Sequence, residues 1–145
     1  ILRRIDHMMI YILIAGSYTP ICLVPLRGPW GWSIFGTILG IAVLGIVMKI
    51  FWMNAPRWLY TLFYVGMGWL AVIAIPPLVR SMPAGGIAWL LIGGVFYTVG
   101  AVIYALKRPN PIPGRFGFHE IFHLFVLAGS ASHFWLMYRY ILWIN

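Results

Sequence analysis

Five long apolar runs constrain the fold of this chain more than any other feature of its sequence. They cover residues 5–26, 30–53, 57–79, 85–106 and 118–143. Each run meets the ~20 residues that a helix needs to cross the hydrocarbon core of a bilayer. Short connections make consecutive helices antiparallel neighbours. The sequence therefore predicts an all-α, polytopic membrane helix bundle in which five transmembrane helices form one domain, residues 1–145.

The composition excludes a soluble domain. Hydrophobic residues make up 63% of the chain and charged residues 8%, whereas soluble domains are roughly half apolar and a quarter charged. The formal net charge of +8 would suggest nucleic-acid binding in a soluble chain. Here the basic residues lie between the apolar runs, and no helix has a basic face. We therefore expect membrane lipids, and not nucleic acids, as partners.

The distribution of basic residues predicts how the helices are oriented. With the amino end in the cytoplasm, seven basic residues lie on the cytoplasmic side and three on the other. The first group is Arg3, Arg4, Lys49, Arg57, Lys107, Arg108 and Arg115, and the second is Arg27, Arg80 and Arg139. The positive-inside rule thus predicts a multi-pass cell-membrane protein with a cytoplasmic amino end and an external carboxyl end. Because the chain starts at Ile1 and enters a span at once, we also expect an upstream portion.

The most informative polar stretch opens the last run and reads His119-Glu120-Ile121-Phe122-His123. Residues four apart share one helix face, so His119 and His123 can present two imidazoles to one metal ion, as helical zinc sites do. Ionisable groups inside a span are costly and usually functional. The alternative is a pair of interfacial histidines whose nitrogens are satisfied by carbonyls or water.

A carboxylate is expected at the same membrane level as this pair. Asp6 begins the first span, and the predicted orientation places it on the cytoplasmic side with His119 and His123, more than a hundred residues away in sequence. A carboxylate beside a zinc-bound water can hold that water or accept its proton, and zinc lowers the pKa of the water toward ~7. We therefore predict zinc held by the histidines and Asp6 as the catalytic carboxylate. Alternatively, Asp6 pairs with Arg3 or Arg4 as an interfacial anchor.

The other two histidines are predicted to lie outside this site. His7 follows Asp6 directly but is expected to point roughly a quarter-turn away from it around the helix. His133 lies fourteen residues beyond His119, about 21 Å further along the axis at a rise of 1.5 Å per residue. It cannot share a metal ion with the pair, and we expect it to make a buried hydrogen bond to another helix.

The same stretch is also an HExxH sequence, the metalloprotease motif in which the glutamate is the general base. Catalytic zinc sites have three protein ligands. No Asp, Glu or Cys follows Glu120 in the chain, so a protease would need a ligand from upstream. A membrane protease is therefore the less favoured interpretation.

Three stretches resemble a known family. They are Arg4-Ile5-Asp6-His7, then Ile14-Ala15-Gly16-Ser17-Tyr18-Thr19-Pro20, and last His119-Glu120-Ile121-Phe122-His123 followed by Gly129-Ser130-x-x-His133-Phe134. With these stretches in this order, the sequence is similar to haemolysin III proteins of the progestin and adipoQ receptor (PAQR) superfamily. The resemblance implies a protein of seven transmembrane helices with zinc near the cytoplasmic face, of which this chain would form helices three to seven.

The resemblance also implies roles for particular residues. His119 and His123 match the family's zinc-binding pair on the last helix, and Asp6 matches an aspartate that contacts the metal-bound water. The third zinc ligand, from an S-x-x-x-H on the second helix, has no counterpart in this sequence and is expected upstream. The implied activity is zinc-dependent hydrolysis of lipid amide or ester bonds in membrane-lipid homeostasis. The alternatives are a membrane-disrupting (haemolytic) or channel-forming protein, or a receptor with structural zinc.

Overall fold

The computed structural model describes residues 2–52, 56–112 and 115–144, with side chains from residue 5 onward except that of residue 57. Its long helices are α1 (Leu2–Leu23), α2 (Pro29–Phe51), α3 (Arg57–Ser81), α4 (Ala84–Leu106) and α5 (Phe118–Leu136). A π-helical segment, Met137–Ile141, continues α5. All five helices are long and apolar enough to cross a membrane, and the described residues form no β-strand. The predicted class, an all-α polytopic membrane bundle, is confirmed.

The helix ends differ from the predicted spans at several points. α1 ends at Leu23 instead of residue 26, because a turn follows in which Gly28 adopts a φ of 104°, a conformation that favours glycine. α3 continues through Pro76 and Pro77 to Ser81, two residues beyond the predicted end at residue 79. Hydrocarbon offers backbone groups no partner outside the helix, so a membrane helix tends to continue past proline. Residue 53 of the second predicted span lies outside the described residues.

A tyrosine hydroxyl joins α1 to α3. The hydroxyl of Tyr18 lies 2.8 Å from the carbonyl oxygen of Met67 and 2.7 Å from that of Gly68. It also accepts a hydrogen bond of 2.8 Å from the backbone N–H of Ala71. Tyr18 is 6% exposed. The side chain thus enters the backbone hydrogen-bond ladder of α3 and holds the two helices together.

The packing of α5 on α4 determines where α5 lies along the axis of α4. A Cβ atom at Gly93 of α4 would collide with the imidazole of His133, whereas a Cβ at the neighbouring Gly94 would meet nothing within 4 Å. His133 is buried, and its Nε2 lies 3.4 Å from the carbonyl oxygen of Leu90. The predicted hydrogen bond from His133 to another helix is confirmed. The contact with Gly93 fixes the register of the two helices and therefore the level of the first turns of α5.

The ends of the helices carry exposed tryptophans, as expected for side chains that anchor a protein at the membrane interface. Between 44% and 71% of each residue is exposed in Trp30, Trp32, Trp52, Trp58, Trp135 and Trp143. The predicted orientation rests partly on Arg3, Arg4 and Arg57, whose side chains lie outside those described. The cytoplasmic amino end stays a prediction.

Candidate metal centre

The start of α1, which carries Asp6, is held by contacts of the next residue. His7 is 5% exposed, and its Nε2 lies 2.6 Å from the hydroxyl oxygen of Tyr104 on α4. The backbone carbonyl of His7 accepts a hydrogen bond of 3.0 Å from the hydroxyl of Tyr64 on α3. These two contacts tie the first turns of α1 to α3 and α4. Asp6 is therefore presented from a fixed backbone.

The start of α5, which carries the histidine pair, is held by the preceding loop. The side-chain oxygen of Asn110 accepts a hydrogen bond of 3.0 Å from the N–H of Phe118. The carboxylate of Glu120 accepts one of 2.8 Å from the N–H of Gly117. These bonds satisfy N–H groups that a helix start leaves without intrahelical partners. Glu120, which would be the general base of an HExxH protease, is exposed and caps α5 instead.

Asp6 and the two histidines meet in one cluster. The Nε2 atoms of His119 and His123 are 3.2 Å apart. Asp6 Oδ1 lies 3.5 Å from His123 Nε2, and Asp6 Oδ2 lies 3.8 Å from His119 Nε2. One donor atom from each residue falls within 4.8 Å of the others. The predicted meeting of α1 and α5 residues at one level is confirmed. The alternative, in which Asp6 pairs with Arg3 or Arg4, concerns side chains outside those described.

The geometry of the cluster fits a zinc ion. Two imidazole nitrogens bound to tetrahedral zinc at about 2.0–2.1 Å are about 3.3 Å apart, close to the 3.2 Å between the two Nε2 atoms. Imidazole and carboxylate are both ordinary zinc ligands. Moreover, Asp6 Oδ2 is buried and accepts no hydrogen bond from the described residues. A buried carboxylate oxygen without a partner is costly, and a cation or an ordered water would satisfy it.

Sequence reasoning missed two residues of this site. His7 was expected to point away, yet its Nδ1 lies 3.7 Å from Asp6 Oδ2. Tyr104 was not predicted, although its ring centroid is 5.7 Å from that of His7 and 6.4 Å from that of His119. The available signal was a tyrosine in the last turn of α4, at the membrane level of Asp6. His133 lies outside the cluster, as predicted.

Comparison with known proteins identifies the family. Residues 1–134 match the family described as haemolysin-III related. The chain belongs to the haemolysin III family. It is 43% identical over 138 residues to Hemolysin-3 of Bacillus cereus, an alignment that covers 95% of this chain and 60% of the relative. It is also 43% identical over 140 residues to the Hemolysin-3 homolog of Bacillus subtilis (strain 168), covering 97% of the chain and 63% of the relative.

More distant relatives confirm that this haemolysin III chain resembles the wider PAQR group. It is 28% identical over 161 residues to the Heptahelical transmembrane protein ADIPOR3 of Oryza sativa subsp. japonica, covering 99% of the chain and 39% of the relative. It is 27% identical over 136 residues to the human Monocyte to macrophage differentiation factor, covering 94% of the chain and 54% of the relative. No solved structure matches the chain significantly. The chain spans about 60% of the length of the two hemolysin-3 relatives.

Proposed function

We propose that this haemolysin III chain supplies the zinc centre of a cell-membrane protein that hydrolyses amide or ester bonds of lipids. The observation that carries the proposal is the cluster of Asp6, His119 and His123, whose donor atoms lie within 4.8 Å of one another. Two of these residues are histidines at the spacing and separation that a tetrahedral metal requires. Functional residues are the usual reason for ionisable groups in membrane spans.

The three residues have different proposed roles. His119 and His123 hold the metal through Nε2, and a further ligand comes from outside these three residues. Zinc, when bound, supplies a Lewis acid and a water of lowered pKa. Asp6 orients the attacking water and accepts its proton on a carboxylate oxygen, as general bases do. In this assignment Glu120 takes no part in the reaction, because its carboxylate caps the helix.

The proposed substrate class follows from the depth and exposure of the site. The three side chains lie in the first turns of α1 and α5, at the ends of helices long enough to span a bilayer. Between 29% and 38% of each side chain is exposed, so a reacting group can reach them. The amide and ester bonds of lipids lie between headgroup and acyl chains, which is also the depth of a helix end. Membrane lipids are therefore the proposed partners, approached from the cytoplasmic leaflet.

Only one substitution should abolish lipid hydrolysis without removing the zinc. In the intact protein in nanodiscs, we expect Asp6→Asn to retain much of the zinc and to abolish fatty-acid release from a labelled lipid panel. His119→Ala and His123→Ala should lose both, because each removes a ligand, whereas outer-shell changes typically cost ~10–100-fold in affinity or activity. Glu120→Gln is the matched control and should keep both. Zinc is measured by mass spectrometry.

Two outcomes of this experiment would replace the proposal. If Glu120→Gln were inactive while Asp6→Asn kept full activity, the HExxH protease interpretation would take its place. If neither the parent protein nor any variant released fatty acid, a receptor with structural zinc or a channel would be favoured instead.

A second candidate function is membrane disruption, which the names of the two hemolysin-3 relatives favour. Such a function needs a polar surface that lines a pore or disturbs lipid packing. Among the described residues, the buried polar or charged side chains are His7, Thr61, Ser132 and His133, too few for a polar stripe. Dye release from liposomes that persists in Asp6→Asn would support this second function over hydrolysis.

A further inference from the structure

His7 is a buried titratable group beside the metal cluster that the proposed chemistry does not use. Its two ring nitrogens face different residues. Nε2 lies 2.6 Å from the Tyr104 hydroxyl oxygen, and Nδ1 lies 3.7 Å from Asp6 Oδ2. The imidazole therefore stands between α4 and the carboxylate of the metal cluster. At 3.7 Å the contact with Asp6 is longer than a hydrogen bond but short enough for an N–H group to attract a carboxylate.

The contact with Asp6 favours a proton on Nδ1 of His7. A lone pair on Nδ1 would repel the carboxylate of Asp6, whereas an N–H group there attracts it. With the proton on Nδ1, Nε2 accepts a hydrogen bond that the Tyr104 hydroxyl donates. The order of contacts is thus Tyr104 hydroxyl, His7 Nε2, His7 Nδ1–H and Asp6 Oδ2. A hydrogen bond at one ring nitrogen holds the imidazole in place, so the other nitrogen faces a defined direction, as outer-shell contacts do around metal sites.

Burial separates His7 and Tyr104 from the residues that can meet a substrate. His7 and Tyr104 are 5% and 7% exposed, whereas the side chain of Asp6 is 29% exposed. The two buried residues form the closed side of the cluster, behind the carboxylate. His7 reaches the cluster at Asp6, and the ring of Tyr104 also lies beside that of His119.

We propose that His7, held by Tyr104, is a positioning residue that fixes the Asp6 carboxylate relative to His119 and His123. This inference rests on the proposed metal function. Asp6 Oδ2 is drawn toward His7 and His119, which leaves Oδ1 facing His123 at 3.5 Å. Without His7, the carboxylate would be free to rotate away from the histidine pair. The metal environment should therefore change even though no metal ligand is removed.

Two variants of His7 separate its two contacts. In asparagine the amide group sits on Cγ, where Nδ1 is attached, so His7→Asn keeps a donor toward Asp6. In glutamine the amide group sits one atom further out, near the position of Nε2, so His7→Gln keeps the contact with Tyr104 and loses the donor toward Asp6. We expect His7→Gln to shift the visible absorption spectrum of bound cobalt(II) and to weaken its binding by about tenfold, no more than Asp6→Asn does, because His7 acts through Asp6. His7→Asn should remain within about threefold of the parent, a small part of that outer-shell effect.

Further variants make the result independent of folding. Tyr104→Phe keeps the ring packed and should reproduce the spectral shift of His7→Gln in part. Cys22→Ala changes a buried residue in the last turn of α1, about 24 Å along the helix from Asp6 at a rise of 1.5 Å per residue, and should leave the cobalt spectrum unchanged. In an Asp6→Asn background, His7→Gln should cause no additional change, because the two residues act as one unit.

Each outcome decides the proposal. If the parent protein binds neither zinc nor cobalt, the metal function is wrong and the role of His7 is wrong with it. If the parent binds cobalt but His7→Gln and His7→Asn behave alike, only the role of His7 is overturned. The same conclusion follows if the effect of His7→Gln persists undiminished in the Asp6→Asn background.

Discussion

Replacing Gly93 by alanine tests whether the contact between His133 and Gly93 determines the position of α5. The added Cβ would collide with the imidazole of His133, a ring that is 7% exposed and has little room to move. Overpacking of this kind costs about 1–3 kcal/mol, against a gain of about 1 kcal/mol for Gly→Ala inside a helix. We expect Gly93→Ala to be net destabilising. Gly94→Ala meets nothing within 4 Å and should be neutral or stabilising by up to about 1 kcal/mol.

The assay is the free energy of unfolding in detergent, followed by the fluorescence of the eight tryptophans. The two single variants should differ by about 1–3 kcal/mol, the cost of the collision itself. In a His133→Ala background the collision with the ring is removed, and only a close approach of 3.3 Å to the carbonyl oxygen of Gly129 remains. Most of the difference between Gly93→Ala and Gly94→Ala should therefore disappear there. Equal effects of the two alanine variants in the parent background, or an undiminished cost of Gly93→Ala beside His133→Ala, would refute this packing argument.

Three further predictions concern helix packing, metal binding and topology. Tyr18→Phe should destabilise the protein by about 1–3 kcal/mol, because the partly buried Ala71 N–H loses the hydroxyl to which it donates; an unchanged unfolding midpoint would contradict this. Zinc at 100 times its dissociation constant should stabilise the parent by about 2.7 kcal/mol and leave His123→Ala unchanged, as thermal unfolding will show; equal stabilisation of both would place the metal elsewhere. A cysteine at Arg108 should react with impermeant reagent only from the cytoplasmic side and one at Arg80 only from outside; the reverse pattern would invert the topology.

The existence of the helices was predictable, but some of their ends were not. Each apolar run is longer than the bilayer requires, and a chain in hydrocarbon must satisfy its own backbone groups. The ends depend on local contacts that hydropathy does not report. α1 ends at Leu23, before a turn in which buried Leu26 packs back on the bundle. α3 passes through Pro76 and Pro77, where sequence patterns favour an earlier end.

The sequence predicts the membrane level of the metal cluster, but it does not predict which helices come together to form it. Asp6 lies near the start of the first helix and His119 near the start of the fifth, so alternating helix directions place both at the same end of the bundle. Which helices become neighbours at that end depends on packing. The packing of His133 on Gly93 and the hydrogen bonds of Tyr18 to α3 join residues that are far apart in sequence. No local pattern in the sequence predicts these contacts.

The case of His7 shows why a direction around the helix is insufficient to exclude a residue from a site. Neighbouring residues on a helix point about 100° apart, which favoured a position of His7 away from Asp6. An imidazole is wide, however, and its two nitrogens lie on different edges of the ring. Tyr104 on α4 lies in the direction in which His7 points and binds Nε2 at 2.6 Å. The opposite edge of the ring is thereby turned back toward Asp6, so the partner on α4, and not the helix position alone, brings His7 to the carboxylate.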